Sequence, residues 1–68
     1  MDTLIKVYDS TGFVLSIFEF ILERGEIAGE MKKIAKKYKG KAARLVADNM
    51  VDHITYDMNK KEFTFNAI

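Results

Sequence analysis

The chain has 68 residues, no Cys, no Pro, a single His and a net charge of +1. That length makes residues 1–68 one domain burying only ~60% of its unfolded surface. The lack of thiols excludes disulfides, and one His leaves a clustered zinc site without ligands. Stability must then come from a dense apolar core or from self-association. An apolar fraction of 49% is generous for so short a soluble domain and points to a homodimer. Asp2 and Lys6 stand where a secretion signal would put a basic and then an apolar run. The apolar stretch Phe13 to Leu22 holds Ser16 and Glu19 and is about half the ~20 residues that cross a bilayer. The expectation is a cytoplasmic protein that makes no membrane contact.

Leu4 to Tyr8 reads as a strand, with Ile5 and Val7 on one face and Lys6 and Tyr8 on the other. Asp9-Ser10-Thr11-Gly12 then supplies a turn, since Asp and Ser bond back to nearby N–H groups and Gly tolerates positive φ. Phe13 to Phe20 reads as the second strand of a hairpin, because Phe, Val and Ile lose rotamer freedom in a helix. A competing helix over Phe13–Glu23 has Gly12, Ser16, Glu19 and Glu23 as its polar stripe, with Asp9, Ser10 or Thr11 as its cap.

Glu26 to Lys39 reads as a helix. Ile27, Met31, Ile34, Ala35 and Tyr38 recur along one face, with acids at the N-terminal end and lysines at the C-terminal end, as the macrodipole favours. Gly40 can end it in a left-handed cap. Lys41 to Met50 reads as a further helix with Ala42, Leu45, Val46, Asn49 and Met50 inward, or as the continuation of one long helix from Glu26 to Met50. Ile54 to Met58, the Asn59-Lys60 turn and Phe63 to Phe65 make a C-terminal hairpin. Phe18, Phe20, Phe63 and Phe65 are expected in the core. On the second strand, Phe13, Leu15 and Ile17 share one face and Val14, Phe18 and Phe20 the other. A sheet with helices on one side would expose the second set and mark an interface.

The expected fold is α+β: an N-terminal β-hairpin, a central helical segment of two helices or one long helix, and a C-terminal β-hairpin joined in a small antiparallel sheet. The alternative takes 13–23 as helical and gives the order β-α-α-α-β-β, which resembles a winged helix-turn-helix domain. That resemblance implies a recognition helix at Lys41–Met50 and a wing at the Lys60-Lys61 turn. Lys41, Arg44 and Asn49 would then reach bases, and Asp48 would repel phosphate.

Charge carries the functional expectation. Seven of the eleven cations lie between Lys32 and Arg44 with no acid among them: Lys32, Lys33, Lys36, Lys37, Lys39, Lys41 and Arg44. Residues 1–30 carry net −4 and residues 46–68 net −2. Several cations on one surface suit a polyanion, since each displaces counterions from phosphate. Six lysines and one arginine favour backbone affinity over base reading. Catalysis finds no support. His53 is a lone His beside Asp52, Ser10 belongs to a turn, and Gly25 and Gly29 sit beside Glu26 and Glu30 and cannot cradle phosphate. The expectation is a non-catalytic, cofactor-free, metal-free accessory or regulatory protein that binds DNA or RNA. Lys32, Lys33, Lys36, Lys37, Lys39, Lys41 and Arg44 would contact phosphates, with Lys60 and Lys61 as outlying contacts. The alternative is a homodimeric or inhibitor-like interaction module that meets an acidic protein partner through an apolar sheet face or the basic helix face. A third consideration is that a lysine run also serves as a plain solvated surface.

Overall fold

A computed structural model describes residues 1–68. Five antiparallel strands, β1 (Asp2–Tyr8), β2 (Val14–Ile21), β3 (Arg44–Asp48), β4 (Asp52–Asp57) and β5 (Glu62–Ala67), form one sheet in the order β2-β1-β3-β4-β5. One helix, α1 (Ile27–Lys37), follows a single 3₁₀ turn at Arg24–Glu26. It carries the chain from the edge strand β2 across one face to β3. The α+β class and both expected hairpins are present. The sheet is larger than expected, and the helical content is smaller.

The N-terminal hairpin turns on Asp9, whose Oδ1 accepts hydrogen bonds from the Thr11 hydroxyl (2.7 Å) and the Thr11 and Phe13 N–H groups (2.9 and 3.0 Å). Gly12 follows at φ +89°, a left-handed conformation that costs Gly nothing. Val7 faces Ser16 and Tyr8 faces Val14, so the register shifts between them. The expected separation of Ile17 from Phe18 and Phe20 holds, but the shift moves Val14 to the face of Ile17, and the helix covers the Phe18 and Phe20 side, expected to be exposed. Ser16, Phe18 and Phe20 lie opposite Val7, Ile5 and Thr3 on the helix side, while Ile17 and Ile21 take the open side with Leu4 and Lys6.

α1 starts where the Glu23 N–H donates to Glu26 Oε1 at 2.8 Å, half of a capping box. Its buried stripe is Ile27, Met31, Ile34 and Ala35. The stripe packs on Ile5 and Val7 of β1, Leu45 and Ala47 of β3, and Ile54 and Tyr56 of β4. Tyr38 closes the helix, and its hydroxyl hydrogen-bonds Ser16 on β2. Gly40 then turns the chain at φ +81°. At the other end, the Arg24 guanidinium grips Asp52 with two hydrogen bonds of 2.8 and 2.9 Å. Asp52 in return raises the basicity of Arg24, through the hydrogen bond first and its charge second.

The second helix expected at Lys41–Met50 is absent. Lys41–Ala43 is a connection, and Arg44–Asp48 is the central strand β3. The reason is tertiary. Leu45 and Ala47 are buried under α1, and Val46 on the opposite face is only 6% exposed. A strand buried on both faces loses its alternation, and a run of Leu, Val and Ala then reads as helix. Neither the long Glu26–Met50 helix nor the three-helix, winged arrangement exists, so no recognition helix presents Lys41, Arg44 and Asn49.

One helix cannot cover this sheet. With side chains it is ~10 Å across, whereas five strands span ~19 Å at their usual spacing. Phe18, Phe20 and Phe63 are half-buried at the helix margins, and Phe65, expected in the core, is 64% exposed on edge strand β5. No helix is long and apolar enough to cross a membrane.

Only 13 of 68 residues are buried, so each core side chain carries a large share of a stability that in domains of this size rarely exceeds ~5 kcal/mol. Leu45→Ala, at a fully buried central position, is expected to cost about 2–5 kcal/mol. Met50→Ala, at a position 93% exposed in the β3–β4 turn, should cost within about 0.5 kcal/mol. Urea unfolding followed by circular dichroism measures both.

Candidate functional site

The C-terminal turns of α1, the connection into β3 and the β4–β5 turn enclose a cleft of about 570 Å³. That is a size typical of ligand sites. Lys32 and Lys36 come from α1, Lys39 and Lys41 from the connection, and Lys61 from the β4–β5 turn. Tyr56 and Met58 of the β4 segment, Asn59, and Ser10 of the first turn complete the wall together with Ala35 and the Gly40–Ala43 backbone. No acidic residue lines it.

Each segment is positioned for a physical reason. Burial of Ile27, Met31, Ile34 and Ala35 fixes the rotation of α1, and Lys32 and Lys36, one turn apart, then fall on the flank toward β5. Lys32 Nζ lies 5.8 Å from the Phe63 ring centroid, within cation–π range. After Tyr38, whose carbonyl accepts the N–H groups of Lys41 (2.9 Å) and Ala42 (3.0 Å), the left-handed Gly40 swings Lys39 and Lys41 around the helix end. Ala43 then donates to the Tyr8 carbonyl (2.8 Å), and Met58 donates to the Ala43 carbonyl (3.0 Å). These bonds lock the connection between β1 and β4. The β4–β5 turn is ordered by Asp57, whose Oδ1 accepts from the N–H groups of Asn59 (2.9 Å) and Lys60 (3.0 Å). Lys61 takes φ +56°.

The nine cations named from sequence are therefore divided. Lys32, Lys36, Lys39, Lys41 and Lys61 share the cleft. Lys33 stands 4.0 Å from Glu30, and neither it nor Lys37, one turn on, lines the cleft. Lys60 is exposed at the turn and also lies outside it. Arg44 is not on a helix at all. It lies on the open face of β3, with its guanidinium 4.5 Å from the Tyr8 ring centroid.

The cleft's electrostatics are one-sided. The C-terminal end of α1 contributes roughly half a negative charge, against five ammonium groups. Lysine supplies mobile point charges rather than planar forks, so the arrangement suits clustered phosphates or carboxylates and demands no fixed geometry. Within the cleft the Ser10 hydroxyl is hydrogen-bonded to none of the lysines. His53 Nδ1 meets Asp48 Oδ1 at 2.5 Å on the open face. No cluster of three or more His, Cys, Asp or Glu side chains is close enough to hold a metal.

Sequence reading missed Ser10, Tyr56, Met58 and Asn59 as lining residues. Their signal was the strand register, which brings the ends of both hairpins to the helix terminus. No protein-family profile, curated protein or solved structure matches the chain.

Ser10 enters the cleft from the turn that Asp9 organises. Asp9's carboxyl is held below its usual value, chiefly by the Thr11 hydroxyl, opposed by desolvation and reinforced by the N–H groups of Phe13, Thr11 and Gly12. A carboxylate depressed on folding adds stability that is present in full above the unfolded value of ~3.9. It is lost as pH falls through the lower folded value. In urea titrations, the stability gap between wild type and Asp9→Asn is expected to stay constant from about pH 7 to 5 and to narrow below about pH 4.

Proposed function

We propose that this chain is a small, non-catalytic nucleic-acid-binding protein of accessory or regulatory role, which holds the phosphate backbone in the lysine cleft. The observation that carries the reading is the convergence of five lysines from three separate chain segments on one acid-free cleft. A run of lysines on a helix is ordinarily a solvated face. Lys39, Lys41 and Lys61 belong to no such face, and their meeting with Lys32 and Lys36 is a product of the fold. Lys33, Lys37, Lys60 and Arg44 have a lesser part, as long-range attraction rather than contact. The five cleft lysines set the expected number of phosphate contacts.

A second reading rests on a different surface. The open sheet face exposes Leu4, Ile17 and Ile21 beside Tyr8 and the nearly buried Val46. It also carries charges in rows: Arg44 and Asp57 face each other across β3 and β4, as do Asp48 and His53. A two-fold axis running across the strands would lay Arg44 of one copy over Asp48 of the next, and Asp57 over His53. This supports a homodimer formed through the open face and leaves the cleft free.

For the cleft, log affinity should fall with log salt at a slope of about −4.5 on duplex or about −3.5 on a single strand, for five phosphate contacts. The double variant Lys36→Glu/Lys39→Glu should lower affinity more than tenfold and flatten the slope by about two, each lost contact removing about one. Lys33→Glu/Lys37→Glu makes the same change in net charge off the cleft and should do markedly less. Fluorescence anisotropy with labelled oligonucleotides measures both. A salt-independent affinity, or equal effects of the two variants, overturns the reading. For the open face, sedimentation equilibrium should give a dimer for wild type and a monomer for Ile17→Asp.

A further inference from the structure

We infer that the ligand is a single strand rather than a duplex, with one of its bases stacked on Phe65; the inference rests on the cleft being a phosphate site. By register, Phe63 and Phe65 stand on the same side of the sheet as α1, opposite Tyr56 and Ile54. Tyr56 lines the cleft, and its ring lies 4.5 Å from that of Phe63. The Phe63 and Phe65 rings are stacked 5.7 Å apart at 27°. Lys32 belongs to both features, as a cleft residue and as the cation beside Phe63. The positive cleft therefore runs without a break into a short aromatic row that ends in an uncovered ring.

Phe65 packs on Phe63 yet leaves 64% of its surface exposed. Its cross-strand partner Ile54 is already buried beneath α1. On the same strand, Thr64 and Asn66 are polar, so the aromatic residue is confined to the side facing the lysines. A flat apolar ring beside phosphate-binding cations is the arrangement that accepts an unstacked base. A duplex keeps its base faces inside its own stack and cannot use such a ring. Lysine contacts and stacking both tolerate any base, so the recognition is independent of sequence.

The chain contains no Trp, so Phe65→Trp installs a single reporter at an exposed site. The probes are a 12-nucleotide single strand of DNA or RNA, the matching duplex, and inorganic polyphosphate. The expected result is quenching of Trp emission by the single strand alone, tighter anisotropy binding of the single strand than of the duplex, and a loss of about 5- to 100-fold for Phe65→Ala. Phe65→Tyr should retain binding, and thermal melts should show each variant folded. Salt-dependent binding with no quenching, or a duplex bound as tightly as the single strand and indifferent to Phe65→Ala, overturns the inference and leaves the phosphate-binding cleft standing. Absence of binding to all three probes removes both.

Discussion

The molecule depends on one amphipathic helix packed across the middle of a sheet wider than itself. Ile27, Met31, Ile34 and Ala35 must lie on Ile5, Val7, Leu45, Ala47, Ile54 and Tyr56, because this is the chain's one extended buried cluster. With so small a core there is no second arrangement of comparable burial. That contact fixes the rotation of α1 about its axis and, with it, which lysines point which way. Lys32 and Lys36 are sent toward β5, while Lys33 and Lys37 fall outside the cleft. The same contact sets the limits of coverage, since a single helix spans only about half of five strands. The bare aromatic edge at Phe65 and the cleft at the end of α1 are both consequences of that shortfall.

Clustered like charges are expensive. Two ammonium groups about 8 Å apart in water repel by about 0.5 kcal/mol before salt screens them, and five around one cleft form several such pairs. A surface shaped only for solubility intersperses its signs. Here no acid enters the lysine cleft. Asp2, Glu19 and Asp48 gather at the opposite ends of β1, β2 and β3, and Asp52 is occupied by Arg24. Asp9, Asp57 and Glu62 do stand in the turns at the cleft end of the sheet, but none of them lines the cleft. The local positive field of the cleft attracts an approaching anion.

Much of the architecture could be read from residue patterns, and the failures have a common cause. The two hairpins and α1 are legible because each is half-buried: alternation survives in Ile54-Thr55-Tyr56, and helical spacing survives from Ile27 to Ile34. The central strand β3 is illegible because Leu45, Val46 and Ala47 are all buried, which erases the period-2 signal and leaves a helix-like composition. On β2 alternation separates Ile17 from Phe18 and Phe20 correctly, but the register shift near Tyr8 puts Val14 on the other face, and which face α1 covers is decided by packing that the strand's own pattern does not carry. For the site, the charge run announced Lys32, Lys36, Lys39 and Lys41. It could not separate them from Lys33 and Lys37, since that division is made by the rotation of α1. Arg44 was grouped with them only through the absent second helix. Lys61, distant in sequence, joins them through the pairing of β4 with β3 and β5.

The cleft and the open sheet face lie on opposite sides of the sheet, and this bears on how the two readings relate. Val46 separates them at the centre of β3, with Leu45 and Ala47 directed at α1 and Arg44 and Asp48 directed away. Occupying one surface therefore leaves the other untouched. A dimer built on Leu4, Ile17 and Ile21 would hold its two clefts outward on opposite sides. A strand long enough to reach both would meet the second cleft at an effective concentration set by the length of the spacer between them. Lysine contacts that are weak singly would then combine without any new contact being made. The apolar surplus of the chain and its sorted charge, which look like competing clues along the sequence, would serve one assembly: the first joins copies, and the second holds the polyanion.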